Sequence, residues 1–171
     1  MNTVPESSLP AGMVQLGAGS RFQETLYGLL EEVAILQGMP RRDLEALGKF
    51  LLAYSAKSGT VLFEEGHKSN FMCFLVKGTL QVDKERNLYE KRPLARILAG
   101  KSVGEMSMVD NMPHSATVKA EGDVTLLLMT RLGLERLRED HPRIAYDLMV
   151  KIAQILSFRL RQASGQLIDY L

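Results

Sequence analysis

At 171 residues the chain has the length of one ordinary domain, enough to bury about two thirds of its surface around a single core and too short for two domains of typical size. Its 21 basic and 20 acidic side chains and 46% hydrophobic content describe a soluble globular composition, without the charge excess that draws a chain to nucleic acid or a membrane. Apolar runs such as Leu126–Met129 fall far short of the roughly 18 residues of a membrane span, and Met1–Ser20 lacks the basic-then-apolar order of a secretory signal, so the cytoplasm is the expected location.

Residues 1–20 are rich in Pro, Gly and Ser without a period and read as a flexible tail. Ser20 followed by Gln23 has capping-box form. Phe22, Leu26, Leu29, Val33 and Leu36 then recur at helical spacing up to Gly38, which predicts a helix of about four turns. Pro40 restarts a shorter helix through Asp43, Leu44 and Leu47, so residues 21–50 form an N-terminal helical segment.

From Leu51 the period changes to short apolar runs: Leu51–Ala56, Thr60–Phe63, Phe71–Val76, Thr79–Val82, Leu94–Leu98, Ala116–Lys119 and Val124–Met129. Turn pairs such as Ser58-Gly59, Glu65-Gly66, Lys77-Gly78 and Ala99-Gly100 punctuate them, and together they predict a barrel or sandwich over residues 51–130. The charged stretch Asp83–Arg92 is expected to loop out between two strands, as a solvated hairpin rather than a binding patch.

Thr130 is a good helix N-cap. Leu132, Leu134 and Leu137 predict a short helix ending near Asp140, and Pro142 opens a longer one carrying Met149, Ile152, Leu156, Leu160, Ala163, Leu167 and Leu171. Residues 131–171 are thus C-terminal helices, and the fold class is α+β. Ile144, Leu148 and Ile155 make the other side of the long helix apolar as well. A second copy of the chain covering that side is expected, with packing inside one chain as the alternative.

His67, His114 and His141 stand singly, with neither an H-x-H pair nor an HExxH helix face, so no metal site and no cofactor are expected. No G-x-S-x-G elbow accompanies Ser107 or Ser115, and enzymatic chemistry is not expected. The single cysteine, Cys73, excludes an internal disulfide; it lies in a strand run and reads as a small buried hydrophobe.

The segment Lys101–Val118 is irregular in an informative way. Gly104 lets a backbone approach closely, and Glu105–Val109 can make one helical turn whose unpaired N–H groups face outward at its start, where an anion fits. A carboxylate accepts hydrogen bonds only, so Glu105 beside such a turn suits a sugar hydroxyl, and phosphate with ribose is the expected pair. A capped turn between two strands accounts for the same spacing.

The order helix, barrel, short helix, long helix is joined by four motifs: Val103-Gly104-Glu105, Met112-Pro113-His114-Ser115-Ala116-Thr117-Val118, Ser58–Gly66 and Phe74–Gly78. Over Leu36–Leu160 this resembles the cyclic nucleotide-binding domain family, as in catabolite activator proteins and the regulatory subunits of the cyclic-AMP-dependent kinase. The resemblance implies an eight-stranded β-roll, a jelly-roll-like barrel, flanked by N-terminal helices and C-terminal B and C helices. It also implies a phosphate-binding cassette at residues 103–117. By the same resemblance Glu105 binds the ribose 2′-hydroxyl, and Gly104, Met106 and Ser107 offer backbone amides to the cyclic phosphate. His114 stands where the family has an arginine for the phosphate oxygens, and Val103, Pro113, Ser115 and Ala116 complete the site. One of Tyr146, Phe158 and Tyr170 on the last helix would cover the base.

The function implied is a non-enzymatic regulatory module that binds cyclic AMP or cyclic GMP and signals through its C-terminal helices to a partner protein or dimer mate. A different small anionic ligand, or a ligand-free interaction or dimerisation scaffold, are the alternatives. If His114 faces a phosphate, the anion favours the imidazolium and affinity should rise as pH falls. Too few residues follow the long helix for a helix-turn-helix, so no contact with DNA is expected, and none with a membrane.

Overall fold

The computed structural model describes residues 9–17, 20–87 and 90–168. Nine strands are described: Met13–Gln15 (β1), Leu51–Ala56 (β2), Val61–Phe63 (β3), Phe71–Lys77 (β4), Thr79–Asn87 (β5), Glu90–Leu98 (β6), Ser102–Val103 (β7), Thr117–Ala120 (β8) and Val124–Thr130 (β9). They form two antiparallel sheets with neighbour orders β1-β2-β9-β4-β7 and β3-β8-β5-β6. The helices are Ser20–Glu31 (α1), Arg41–Gly48 (α2), Glu105–Asp110 (α3), Arg131–Asp140 (α4) and Pro142–Ile168 (α5).

The near-continuous apolar runs in β4 and β9 are explained by burial on both faces. Phe71, Cys73 and Leu75, with Leu126 and Leu128, point between the two sheets into a core shared with Phe63, Leu80 and Val103. The alternate residues Met72, Phe74, Leu127 and Met129 point the other way, onto Leu30, Leu47, Leu137, Leu148 and Ile152 of the helices. Cys73 is fully buried, and burial pushes its thiol pKa up, as fits a packing residue.

Thr130 caps α4, its Oγ1 accepting the Gly133 N–H at 2.9 Å. Pro142 opens α5, which buries Ile144, Ala145, Leu148 and Ile152. Among the described residues no helix is long and apolar enough to cross a membrane. Among those residues, too, no group of three or more His, Cys, Asp and Glu side chains is placed to hold a metal ion.

Four expectations are corrected. The side of α5 that carries Ile144, Leu148 and Ile155 is covered within the chain and not by a second copy: Ile144 and Leu148 are buried in the helix-side core and Ile155 packs against it. Within the presumed tail, Met13–Gln15 pairs with Tyr54–Ala56, and Leu16 N–H continues the contact to Ala53 O at 2.9 Å, so this segment closes the edge of β2 despite its glycine-rich surroundings. Residues 1–8, 18 and 19 of the expected tail lie outside the described residues, as do Tyr170 and Leu171. The hairpin expected at Asp83–Arg92 is there, but its described residues are paired strand and not a loop. β5 extends to Asn87 and β6 starts at Glu90, with Lys84 opposite Arg92 and Asn87 opposite Glu90, register shifts at Val82/Asp83 and Glu85/Asn87, and Asp83 buried against Lys119 Nζ at 2.8 Å. Charge marked this ribbon as solvated, but a hairpin can be solvated and still paired. Finally, the first helix stops at Glu31 rather than near Gly38. Ala34 N–H is taken by Gly100 O at 2.8 Å, and Ala34–Leu36 forms a short 3-10 turn that still buries Leu36.

Candidate functional site

The site is positioned by a crossing of the two cores. β7 pairs with β4, Val103 opposite Cys73 and Ser102 opposite Phe74, which plants Val103 in the inter-sheet core. One turn further on, Met108 plants α3 in the helix-side core. Between them Gly104 has φ +82°, and a Cβ there would lie 2.8 Å from Phe63 Cζ, so only glycine lets the chain turn this tightly onto the aromatic ring. The turn delivers Glu105 into the protein rather than onto its surface.

Glu105 is 1% exposed. Its Oε1 accepts a hydrogen bond from Arg159 Nη1 of α5, and Arg159 Nη2 donates to Ser102 O at 2.9 Å. Glu105 Oε2 and the Ser102 hydroxyl are buried without any hydrogen-bond partner. Burial pushes the Glu105 carboxyl above its ordinary pKa, and the Arg159 charge pulls it partway back; the Ser102 hydroxyl also favours the carboxylate, though it falls short of a hydrogen bond. An orphaned carboxylate oxygen in a buried setting is costly, and a donor from a ligand, a turn of the nearby Ser102 hydroxyl or loss of the charge relieves it.

The other end of the cassette has the opposite character. His114 is buried, its ring tilted against Phe63 with centroids 4.3 Å apart. Its Nε2 lies 2.8 Å from Ser69 Oγ and its Nδ1 3.2 Å from Ser107 Oγ. Ser69 has a single hydroxyl proton, which goes to Phe71 O at 3.1 Å, so Nε2 donates to Ser69 and Nδ1 accepts from Ser107. One neutral tautomer thus satisfies the whole network. The backbone closes it further, with Gly66 N–H on His114 O and His114 N–H on His67 O, both at 2.9 Å. Burial holds the imidazole below its ordinary pKa and so favours the neutral ring.

Of the nine residues expected in the site, the structure buries Val103, Glu105, Ser107 and His114 and half-buries Gly104 and Ala116. It links Ser107 and His114 directly. Met106, Pro113 and Ser115 are exposed, and Ser115 contributes a carbonyl to Lys84 Nζ at 2.7 Å. Four contributors escaped the sequence reading: Arg159, Phe63, Ser69 and Arg131, whose Nη2 donates to Ser107 O at 2.9 Å. Arg159 lies 54 positions from Glu105 on a helix read only for its apolar stripe, and no local pattern connects them.

The sequence pattern of the cyclic nucleotide-binding domain matches residues 54–141, just over half of the chain and all of the cassette. Glutaminase 1 of Bradyrhizobium diazoefficiens is 30% identical over 150 residues, covering 88% of this chain but 23% of the enzyme, so the chain spans about a quarter of that relative's length. A crystal structure of a cyclic nucleotide-binding domain from Methylobacillus flagellatus superposes with a TM-score of 0.79 at 22% identity, covering 94% of this chain and 90% of that one. The catabolite activator protein of Thermus thermophilus superposes with a TM-score of 0.67 at 25% identity, covering 78% of this chain and 61% of that one. With the two-sheet β-roll, its flanking helices and the cassette in place, the chain belongs to the cyclic nucleotide-binding domain family.

Proposed function

We propose that the chain is a non-enzymatic regulatory module whose cassette takes a cyclic nucleotide, cyclic AMP or cyclic GMP, and whose C-terminal helices report occupancy to a dimer mate or partner protein in the cytoplasm. One observation carries the reading: Glu105 Oε2 is a buried acceptor with no donor. A ribose hydroxyl is the kind of group that satisfies it, and Glu105 sits beside the backbone amides of Gly104, Met106 and Ser107, which fall at the family's phosphate position. On this reading Val103, Pro113, Ser115 and Ala116 complete the site. His114 brings a neutral ring where the family has a guanidinium. A charged hydrogen bond is worth about 1.5–3 kcal/mol, so affinity should lie about 10- to 150-fold below that of an arginine-bearing relative.

Tyr146, Phe158 and Leu160 are exposed on α5 at 68%, 58% and 68%, and they support a homodimer through this helix, which sedimentation velocity reports directly. The second reading is a ligand-free scaffold, favoured by the Arg159–Glu105 pair already standing in the cassette. Thermal unfolding with cyclic AMP and with cyclic GMP separates the two. A nucleotide at 100 times its dissociation constant should add about 2.7 kcal/mol to stability, and an unchanged transition with both nucleotides at millimolar concentration favours the scaffold.

A further inference from the structure

We infer that Arg159 is an internal occupant of the cassette, a latch that ties the outer part of α5 to the barrel and that a ligand hydroxyl must displace to reach Glu105. The inference rests on the reading of the cassette as a cyclic nucleotide site and adds its regulation.

Among the residues of α5 whose burial is described, Pro142–Gly165, the last buried one is Ile152. Arg159 lies two turns beyond it, about 10 Å along the axis, where the helix has left its apolar bed. Residues 160–165 are all exposed. Past Leu156, the described polar tie between this helix and the barrel is the Arg159 fork, one arm on Glu105 Oε1 and the other on Ser102 O. Both acceptors belong to the cassette and its lead-in strand, so the fork reports on that segment and on nothing else.

The same fork closes the site. Glu105 shows 2% of its side chain to solvent while Arg159 shows 40%, so the guanidinium is the outer member of the pair. While Arg159 stays in place Oε1 is taken, and Oε2 belongs to the same buried carboxylate behind the more exposed guanidinium. Displacing it removes the charge partner of Glu105 and substitutes a hydroxyl, and it leaves the guanidinium free. A ligand that carries an anion as well as a hydroxyl compensates both losses, whereas a neutral nucleoside compensates one. His114, neutral and fully engaged, supplies no competing cation for that anion. Occupancy of the cassette and attachment of α5 beyond Ile152 are therefore alternatives. A ligand shifts this equilibrium by the difference between what it gains at Glu105 and what the fork loses.

The test pairs two readouts on the parent, Arg159→Gln, Glu105→Gln and the double variant. Amide hydrogen exchange over residues 155–165, without ligand, should quicken about fivefold in each single variant, with the double variant no faster than either. Calorimetric titration with cyclic AMP should give about fivefold tighter binding to Arg159→Gln than to the parent, because a competitor has been removed. Arg159→Lys, which keeps the charge and loses the fork, should fall between them in both readouts. Unchanged exchange in Arg159→Gln overturns the latch whatever the titration gives. Faster exchange with equal or weaker cyclic AMP binding also overturns it, since Arg159 then does not compete with the ligand. Faster, non-additive exchange with no binding of cyclic AMP or cyclic GMP to any variant supports the tie and removes the nucleotide reading instead.

Discussion

The two ends of the cassette, Glu105 and His114, nine positions apart in sequence, solve the same problem in opposite ways. At the His114 end a buried polar ring is satisfied by local partners: Ser69 and Ser107 hydroxyls, a backbone clasp to residues 66 and 67, and the face of Phe63. At the Glu105 end a buried carboxylate is held by one guanidinium reaching in from a helix 54 positions away, and half of its acceptor capacity goes unused. Buried polar groups are almost always paired, so the unpaired end is where a ligand or a conformational change has something to gain. The paired end is architecture.

Phe63 supports both ends, lying against the Cα of Gly104 and stacking on His114, and its removal should have the largest effect. Phe63→Ala should cost about 3–5 kcal/mol in urea unfolding and loosen both ends together. A cost below about 1 kcal/mol would mean that the two ends are held independently, and the contrast between them would lose its common support.

His114→Arg should sharpen the contrast. An arginine cannot reproduce the Ser107–Nδ1 bond, so the variant should lose about 1–3 kcal/mol of ligand-free stability while introducing a permanent cation. Cyclic nucleotide affinity measured by calorimetry should rise about 10- to 150-fold. Lost stability without gained affinity would place position 114 wholly within the architecture.

What was legible beforehand follows the same division. The strands of the roll, the Thr130 cap, the Pro142 start and the αL glycine of the cassette are local signals, written in turn chemistry and period, and the structure reproduces them. Glu105 was legible because the carboxylate sits beside that glycine. Arg159 was not, because contact between α5 and the cassette is set by how the helix crosses the barrel, which no spacing in the sequence records. His114 was legible as a site position, but its neutral, buried state depends on Ser69, from a loop 45 positions upstream. The β5–β6 hairpin was legible as a solvated connection, but the length of its paired strands was not, because charge reports solvation and not pairing.

The smallest effect is in pH, where the two ends should act with opposite sign. Burial lowers the His114 pKa from its ordinary 6.5, so below that pH the unfolded chain binds the proton more readily, and stability is lost as pH falls through the window beneath 6.5. Burial raises the Glu105 pKa from its ordinary 4.5, so the folded chain holds the proton longer. Stability is then lost as pH rises from 4.5 through the folded value. Urea midpoints taken from about pH 4 to 8 for the parent, His114→Gln and Glu105→Gln isolate the two contributions, since the titrations common to all three chains cancel on subtraction. The parent minus His114→Gln difference should decline toward acid, and the parent minus Glu105→Gln difference toward alkali. Two flat difference profiles would show that neither group changes its proton affinity on folding, and the cassette would then have one electrostatic character rather than two.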